Sequence, residues 1–276
     1  MNINKVTAVY FSATGNTKKI VTAVAAKMAE VLGAELAEVN IANPAARESK
    51  QVFGEGQVAV IGVPTYAGKT PNKLLPYLQE GFDGAGAVAV PVVTFGNRSF
   101  DNSLAELVSV MAGNGFGIAG AGAFACRHAF TDLLADGRPN ADDLIQAAEL
   151  GEKAAGKIAA AGAPADLAEI EVPGDADAPY YIPKGVDGQP AKFLKAKPLT
   201  DMTKCGECGA CARKCPMGSI NPENVSEVTG VCIKCQACIR GCMKGAKYFE
   251  DEAFLSHVKM LEQNFAQPLK DNKICV

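Results

Sequence analysis

Eight of the ten cysteines fall between Cys205 and Cys242, in one pattern written twice. Cys205, Cys208 and Cys211 are spaced at threes and Cys215 follows four residues later; Cys232, Cys235, Cys238 and Cys242 repeat that spacing. So dense a set is either a disulfide framework or a set of metal ligands. The N-terminus lacks the basic and long apolar segments of a signal peptide, so a reducing cytoplasm is the expected compartment. There, clustered thiols read first as metal ligands.

Three thiolates at spacing three wrap one corner of a cubane, and the small residues Gly206, Gly209, Ala210 and Ala237 let backbone N–H groups approach its sulfurs. A fourth thiolate four residues on points away. Zinc is the rival reading, since paired Cys-x2-Cys units also build tetrahedral sites, but triple spacing with a fourth cysteine, repeated, is hard to explain that way. The run resembles bacterial two-cluster ferredoxins. That resemblance implies crossed ligation of two [4Fe–4S] clusters, with Cys205, Cys208, Cys211 and Cys242 on one and Cys232, Cys235, Cys238 and Cys215 on the other. Pro216 follows the first set, whereas Met243 stands where a second proline is expected.

Upstream, apolar runs alternate with helical patterns, the signature of a parallel sheet covered by helices. Strands are expected over 6–11, 36–40, 58–63, 87–95 and 116–124, and helices over 17–32, from Pro71 to about 79, over 103–111 and over 141–161. The fold class predicted is α/β, a doubly wound five-stranded parallel sheet over 1–162, with its ligand beyond the carboxyl ends of the strands. The longest uncharged stretch, Leu107 to Cys126, is broken by five glycines and Asn114, so no membrane span is expected. Six prolines mark 163–198 as a linker, either a flexible spacer or a segment packed along the first domain. A small α+β cysteine-rich domain is expected over 199–250. Residues 251–276 form a C-terminal region, with a helical stripe of Phe254, Val258 and Leu261 and a frayed tail over 270–276.

Three loops follow the first, third and fourth strands. Ser12-Ala13-Thr14-Gly15-Asn16-Thr17 leads into a helix and offers a phosphate free backbone N–H groups, a helix N-terminus and three hydroxyls. It matches neither the nucleotide-triphosphate loop nor the dinucleotide fingerprint. Pro64-Thr65-Tyr66-Ala67-Gly68-Lys69 offers an aromatic face and a glycine for close approach. Thr94-Phe95-Gly96-Asn97-Arg98, with Phe100 beyond, offers a second aromatic cover. The hydroxyl-rich first loop is similar to the phosphate loop of flavodoxins, and the first 160 residues resemble that family, which implies bound FMN. The acidic residue common in the family's second flavin loop is replaced around Asn97 and Arg98. Lys69 and Arg98 are therefore expected to ease reduction to the anionic hydroquinone. Cys126, Arg127 and His128 are candidates for the pocket mouth.

Joined in one chain, the two halves resemble the flavodoxin–ferredoxin fusions of anaerobic bacteria. The function implied is electron transfer between two [4Fe–4S] clusters, FMN and partner redox proteins. The alternative is an FMN-dependent reductase of a small-molecule acceptor fed by the clusters, although no general acid or base stands out. The net charge of −3 is uneven: residues 184–276 carry 14 basic and 10 acidic side chains, a net of +4, whereas 1–183 carry 13 and 20, a net of −7. Without a basic stripe or interleaved aromatics this does not describe a nucleic-acid partner, and the negative charge of two clusters offsets the surplus.

Overall fold

The computed structural model describes all 276 residues, Met1–Val276. In chain order the first part runs β1 (Lys5–Tyr10), α1 (Asn16–Leu32), β2 (Glu35–Asn40), β3 (Gln51–Val52), β4 (Gln57–Pro64) and α2 (Leu75–Glu80). It continues with β5 (Phe82–Asp83), β6 (Val88–Phe95), α3 (Ser103–Gly113), β7 (Gly117–Ile118), β8 (Ala121–Ala125) and α4 (Ala141–Ala160). The long strands are parallel in the order β2-β1-β4-β6-β8. This is the flavodoxin-like order, and it places the ligand crevice beyond the carboxyl ends of the strands, where the order reverses beside β1.

Strands covered on both faces read as continuous apolar runs, and β6 is buried at every position. Alternate residues divide between two cores. Val6, Ala8, Tyr10, Val58 and Val60 pack under α1 and α4, while Val9, Phe11, Ile61 and Val63 meet Leu78 of α2 and Leu104 and Leu107 of α3. Helix α1, whose first turn follows the phosphate-type loop, packs against α4 at Gly151. A Cβ there would lie 2.5 Å from the Val24 carbonyl oxygen, so the two backbones touch.

The second part contains β9 (Leu199–Thr200), α5 (Ala210–Lys214), α6 (Ala237–Arg240), β10 (Lys247–Tyr248), α7 (Glu252–Phe265) and β11 (Lys273–Cys275). β9 and β10 pair antiparallel, and α5 packs on α6. No helix is long and apolar enough to cross a membrane.

Two expectations change and one open alternative is decided. The fifth strand is split: β7 and β8 both pair with β6, and the chain breaks between them near Gly120, where a Cβ would meet the Cys275 carbonyl oxygen at 3.3 Å. The tail is not frayed, because β11 adds antiparallel to β8 and makes the sheet seven-stranded. The proline-rich linker packs on the first domain, with the Tyr181 amide donating to Ala67 O at 2.8 Å and the Asp175 amide to Asn102 Oδ1 at 2.9 Å.

Candidate functional site

A cavity of about 550 Å³ opens at the carboxyl ends of β1 and β2. That volume suits a cofactor-sized ligand. Ser12, Ala13, Thr14 and Gly15 line one side and Asn40, Ala42 and Asn43 a second, while Arg213 and Lys214 of α5 and Ala237, Arg240 and Gly241 at α6 close the third. Gly15 caps α1 at φ 97, in the left-handed region that glycine enters without strain. The Ser12 hydroxyl accepts from the Lys18 amide at 3.0 Å and still has its proton to donate. Only two of the three hydroxyls are available to a ligand, because Thr17 is buried and bonded to the Thr94 hydroxyl at 2.8 Å. Asn16 is likewise committed, donating to the Arg127 carbonyl oxygen at 3.2 Å.

The second and third loops are held by the chain itself. Pro64 ends β4, and the Thr65 hydroxyl bonds Ser103 Oγ at 2.7 Å. Tyr66 and Lys69 close a tight turn through Ala67 and Gly68, both at positive φ. Gly68 is needed for its close approach to Asp101, which a Cβ would meet at 2.5 Å, rather than to a flavin edge. Lys69 turns inward: Nζ sits 3.0 Å from the Glu106 carboxylate and donates at 2.8 Å to the carbonyl oxygens of Ala176 and Ala178 in the linker. It has no reach left for a flavin. Arg98 pairs with Asp101 and stacks 4.0 Å from the Tyr181 ring centroid, so it too is occupied. The expected influence of Lys69 and Arg98 on the reduced flavin is withdrawn for that reason.

Phe95 is buried in the core with Phe100 tilted against it at 5.3 Å, so neither is a free cover for a ring. Asn97, fully buried, donates to the Phe265 carbonyl oxygen at 2.7 Å and accepts from the Lys270 amide at 2.9 Å. Gly96 leaves room for His128, whose ring a Cβ would strike at 2.2 Å. Cys126 is buried beneath, its thiol pushed up by burial, and is a core residue.

Tyr66 is itself covered, and burial pushes its phenol well above the ordinary value. The second cysteine set opens with Cys232 and Cys235. Ile233, between those cysteines, packs on the core beneath α2 and α3. Cys215, Cys232, Cys235 and Cys238 line one small cavity of about 20 Å³. Burial pushes the thiols of Cys235 and Cys238 up to about 12. Amides approach the sulfurs in a duplicated pattern: Glu207 N to Cys205 Sγ and Lys234 N to Cys232 Sγ, both 3.4 Å, then Ser219 N to Cys215 Sγ at 3.3 Å and Ala246 N to Cys242 Sγ at 3.4 Å. Such donors stabilise thiolate and cluster sulfur. Cys205 and Cys211 share a satellite core with Cys238, and Cys208 is exposed.

Residues 198–221 match the family described as 4Fe-4S binding domain. A flavodoxin-type sheet and a ferredoxin-type domain share this chain. No curated protein matches it. Among solved structures it is similar to a flavodoxin from the domain Archaea, at 16% identity and TM-score 0.40 over 56% of this chain and 99% of that one. It is also similar to rubredoxin oxygen:oxidoreductase from the anaerobe Desulfovibrio gigas, at 16% identity and TM-score 0.39, over 58% of this chain and only 37% of that one. A third is Megasphaera elsdenii flavodoxin, at 20% identity and TM-score 0.35, over 55% and 98%. The flavodoxin-like topology stands on the strand order itself.

Sequence reasoning missed Asn40, Asn43, Arg213, Lys214 and Arg240. The signal available for two of them was the duplication, in which Arg213 and Arg240 each stand two residues before the fourth cysteine of a set.

Two predictions follow from buried groups here. Lys69→Met leaves the Glu106 carboxylate buried without its cation and is expected to cost about 3 to 5 kcal/mol of unfolding free energy, part of it recovered by adding Glu106→Gln; denaturant titration of the three proteins checks this. His128 is pushed down to about 3 from 6.5, first by burial and then by His257, Arg98 and Arg240. Its folded pKa lies below the unfolded one, so the unfolded chain takes the proton first as pH falls, and stability present above about 6.5 is lost toward pH 3. His257, also lowered by burial, adds with the same sign. The denaturation midpoint should fall between pH 7 and pH 5 by the equivalent of on the order of 1 kcal/mol, and less steeply in His128→Asn.

Proposed function

We propose that this protein is an iron–sulfur flavoprotein that carries electrons between two [4Fe–4S] clusters, FMN and partner redox proteins. The observation that carries the reading is the packing of Ile233, between Cys232 and Cys235 of the second cysteine set, against the core of the flavodoxin-type domain. A flavin exchanges electrons singly or in pairs while each cluster passes one at a time, so the pair interconverts the two modes.

The residues present fit these groups. Ser12, Thr14 and Gly15 offer hydroxyls and the amide end of α1 to a phosphate, in a cavity of cofactor size. Cys215 beside Cys232, Cys235 and Cys238 in one cavity supports crossed ligation, and leaves Cys205, Cys208, Cys211 and Cys242 for the first cluster. No three His, Cys, Asp or Glu side chains converge as ligands of one ion do, and thiols spread around a cavity suit a multi-iron cluster better than zinc, whose sulfurs sit about 2.3 Å from one centre. Exposed Cys208 supports a first cluster that faces outside partners, and the packing of Ile233 on the first domain's core supports a second that lies against that domain.

The anaerobically purified chain is expected to hold about eight iron, about eight acid-labile sulfides and one FMN. Cys215→Ser and Cys242→Ser should each lose about half the iron, with cluster signals that differ between the two variants. Stoichiometric zinc without sulfide, or a chain without flavin, overturns the reading.

A further inference from the structure

Flavodoxin-type phosphate loops offer neutral donors, and here the supply is reduced because Thr17 is committed to Thr94. The cavity beside Ser12 and Thr14 nevertheless has three cations on its walls and no carboxylate, and all three come from the cysteine-rich domain. We propose that Arg213, Lys214 and Arg240 clamp the phosphate of the flavin across the domain boundary, making the second domain part of the flavin site. The proposal rests on the reading of the first loop as an FMN loop.

The three side chains converge because the cysteine motif is duplicated. Arg213 and Arg240 hold the same register of the two repeats, and packing of α5 on α6 brings both helices to one cavity. Gly241 occupies the register of Lys214, and the space a Cβ would fill there lies 2.7 Å from Lys214 Cδ, so the lysine chain crosses over the glycine. Arg240 is oriented from behind by the first domain, through Nε to the Ala129 carbonyl oxygen at 3.1 Å and Nη1 to Asp132 at 2.6 Å.

Arg213 and Lys214 differ from the other cations nearby. Lys18 pairs with Glu38, Lys204 with Asp201 and Arg240 with Asp132, whereas Arg213 and Lys214 make no salt bridge and no side-chain hydrogen bond. Arg213 and Lys214, adjacent like charges without a carboxylate partner, are the two that an entering anion would neutralise. A phosphate monoester, with oxygens that match a guanidinium fork and a charge that meets an ammonium, is the anion this geometry suits.

The test is fluorescence titration of the flavin-depleted, cluster-loaded full chain with FMN and with riboflavin, which lacks the phosphate. In Arg213→Gln/Lys214→Gln, FMN affinity should fall about tenfold or more while riboflavin affinity is unchanged. A ratio of the two affinities equal to that of the unmodified chain overturns the clamp. Should the variant not load its clusters, the unmodified chain decides: raising salt from about 0.05 M to about 0.5 M should lower FMN affinity several-fold and spare riboflavin, and a salt-independent ratio overturns the proposal. Absence of binding by either flavin defeats the FMN reading and the clamp with it. Tight binding of both, with no phosphate preference, defeats the clamp alone.

Discussion

A parallel sheet covered by helices on both faces leaves the chain one end at which to expose function, and here the protein folds its own second half over that end. Several of the ties are polar and at least partly buried. Lys69 is shared between Glu106 and two linker carbonyl oxygens, and Asn97 spends its amide on residues 265 to 270. A buried charge or amide without partners costs several kcal/mol, so each tie fixes both segments it joins. Arg47 adds a third, donating to the Pro216 carbonyl oxygen at 2.6 Å, next to Cys215. An aromatic cluster of Phe130, Phe193, Phe249 and Phe254 then locks the linker and α7 together.

This covering changes what the flavodoxin-type loops can do. In the reading proposed here, loops two and three hold the linker and the segment after α7, and the first loop keeps the ligand. The second cysteine set is drawn inward, with Ile233 packed against the first domain's core. In the first set Cys208 is exposed. On that proposal the electron route runs between an outer cluster, an inner one and the flavin, and the direction of flow is set by potentials rather than by the fold.

Where a residue's role is local, it was legible in the sequence. Continuous apolar runs such as Val88–Phe95 gave strands buried on both faces, and the repeated cysteine spacing needed no tertiary information. The roles that were not legible depend on distant backbone. β11 is three residues long, and its reason to be a strand is the free edge of β8 some 150 residues earlier. Lys69 reads as a loop cation because its partners include carbonyl oxygens of two alanines, which any residue could supply. Arg213 and Lys214 look like ordinary surface charge until α5 is seen facing Ser12. Linker packing was left open by composition, and hydrogen bonds such as Tyr181 to Ala67 decide it.

The central claim is that the cluster proposed at the second cysteine set, beside the first domain's core, delivers electrons to the flavin within one chain. Stopped-flow bleaching of the flavin by a reduced one-electron donor protein, in the unmodified chain and in Cys215→Ser, tests it most directly. The account predicts flavin reduction slowed at least about tenfold when that ligand is lost while flavin content is retained, about 1.4 kcal/mol on the barrier. Equal rates in the two proteins would contradict it.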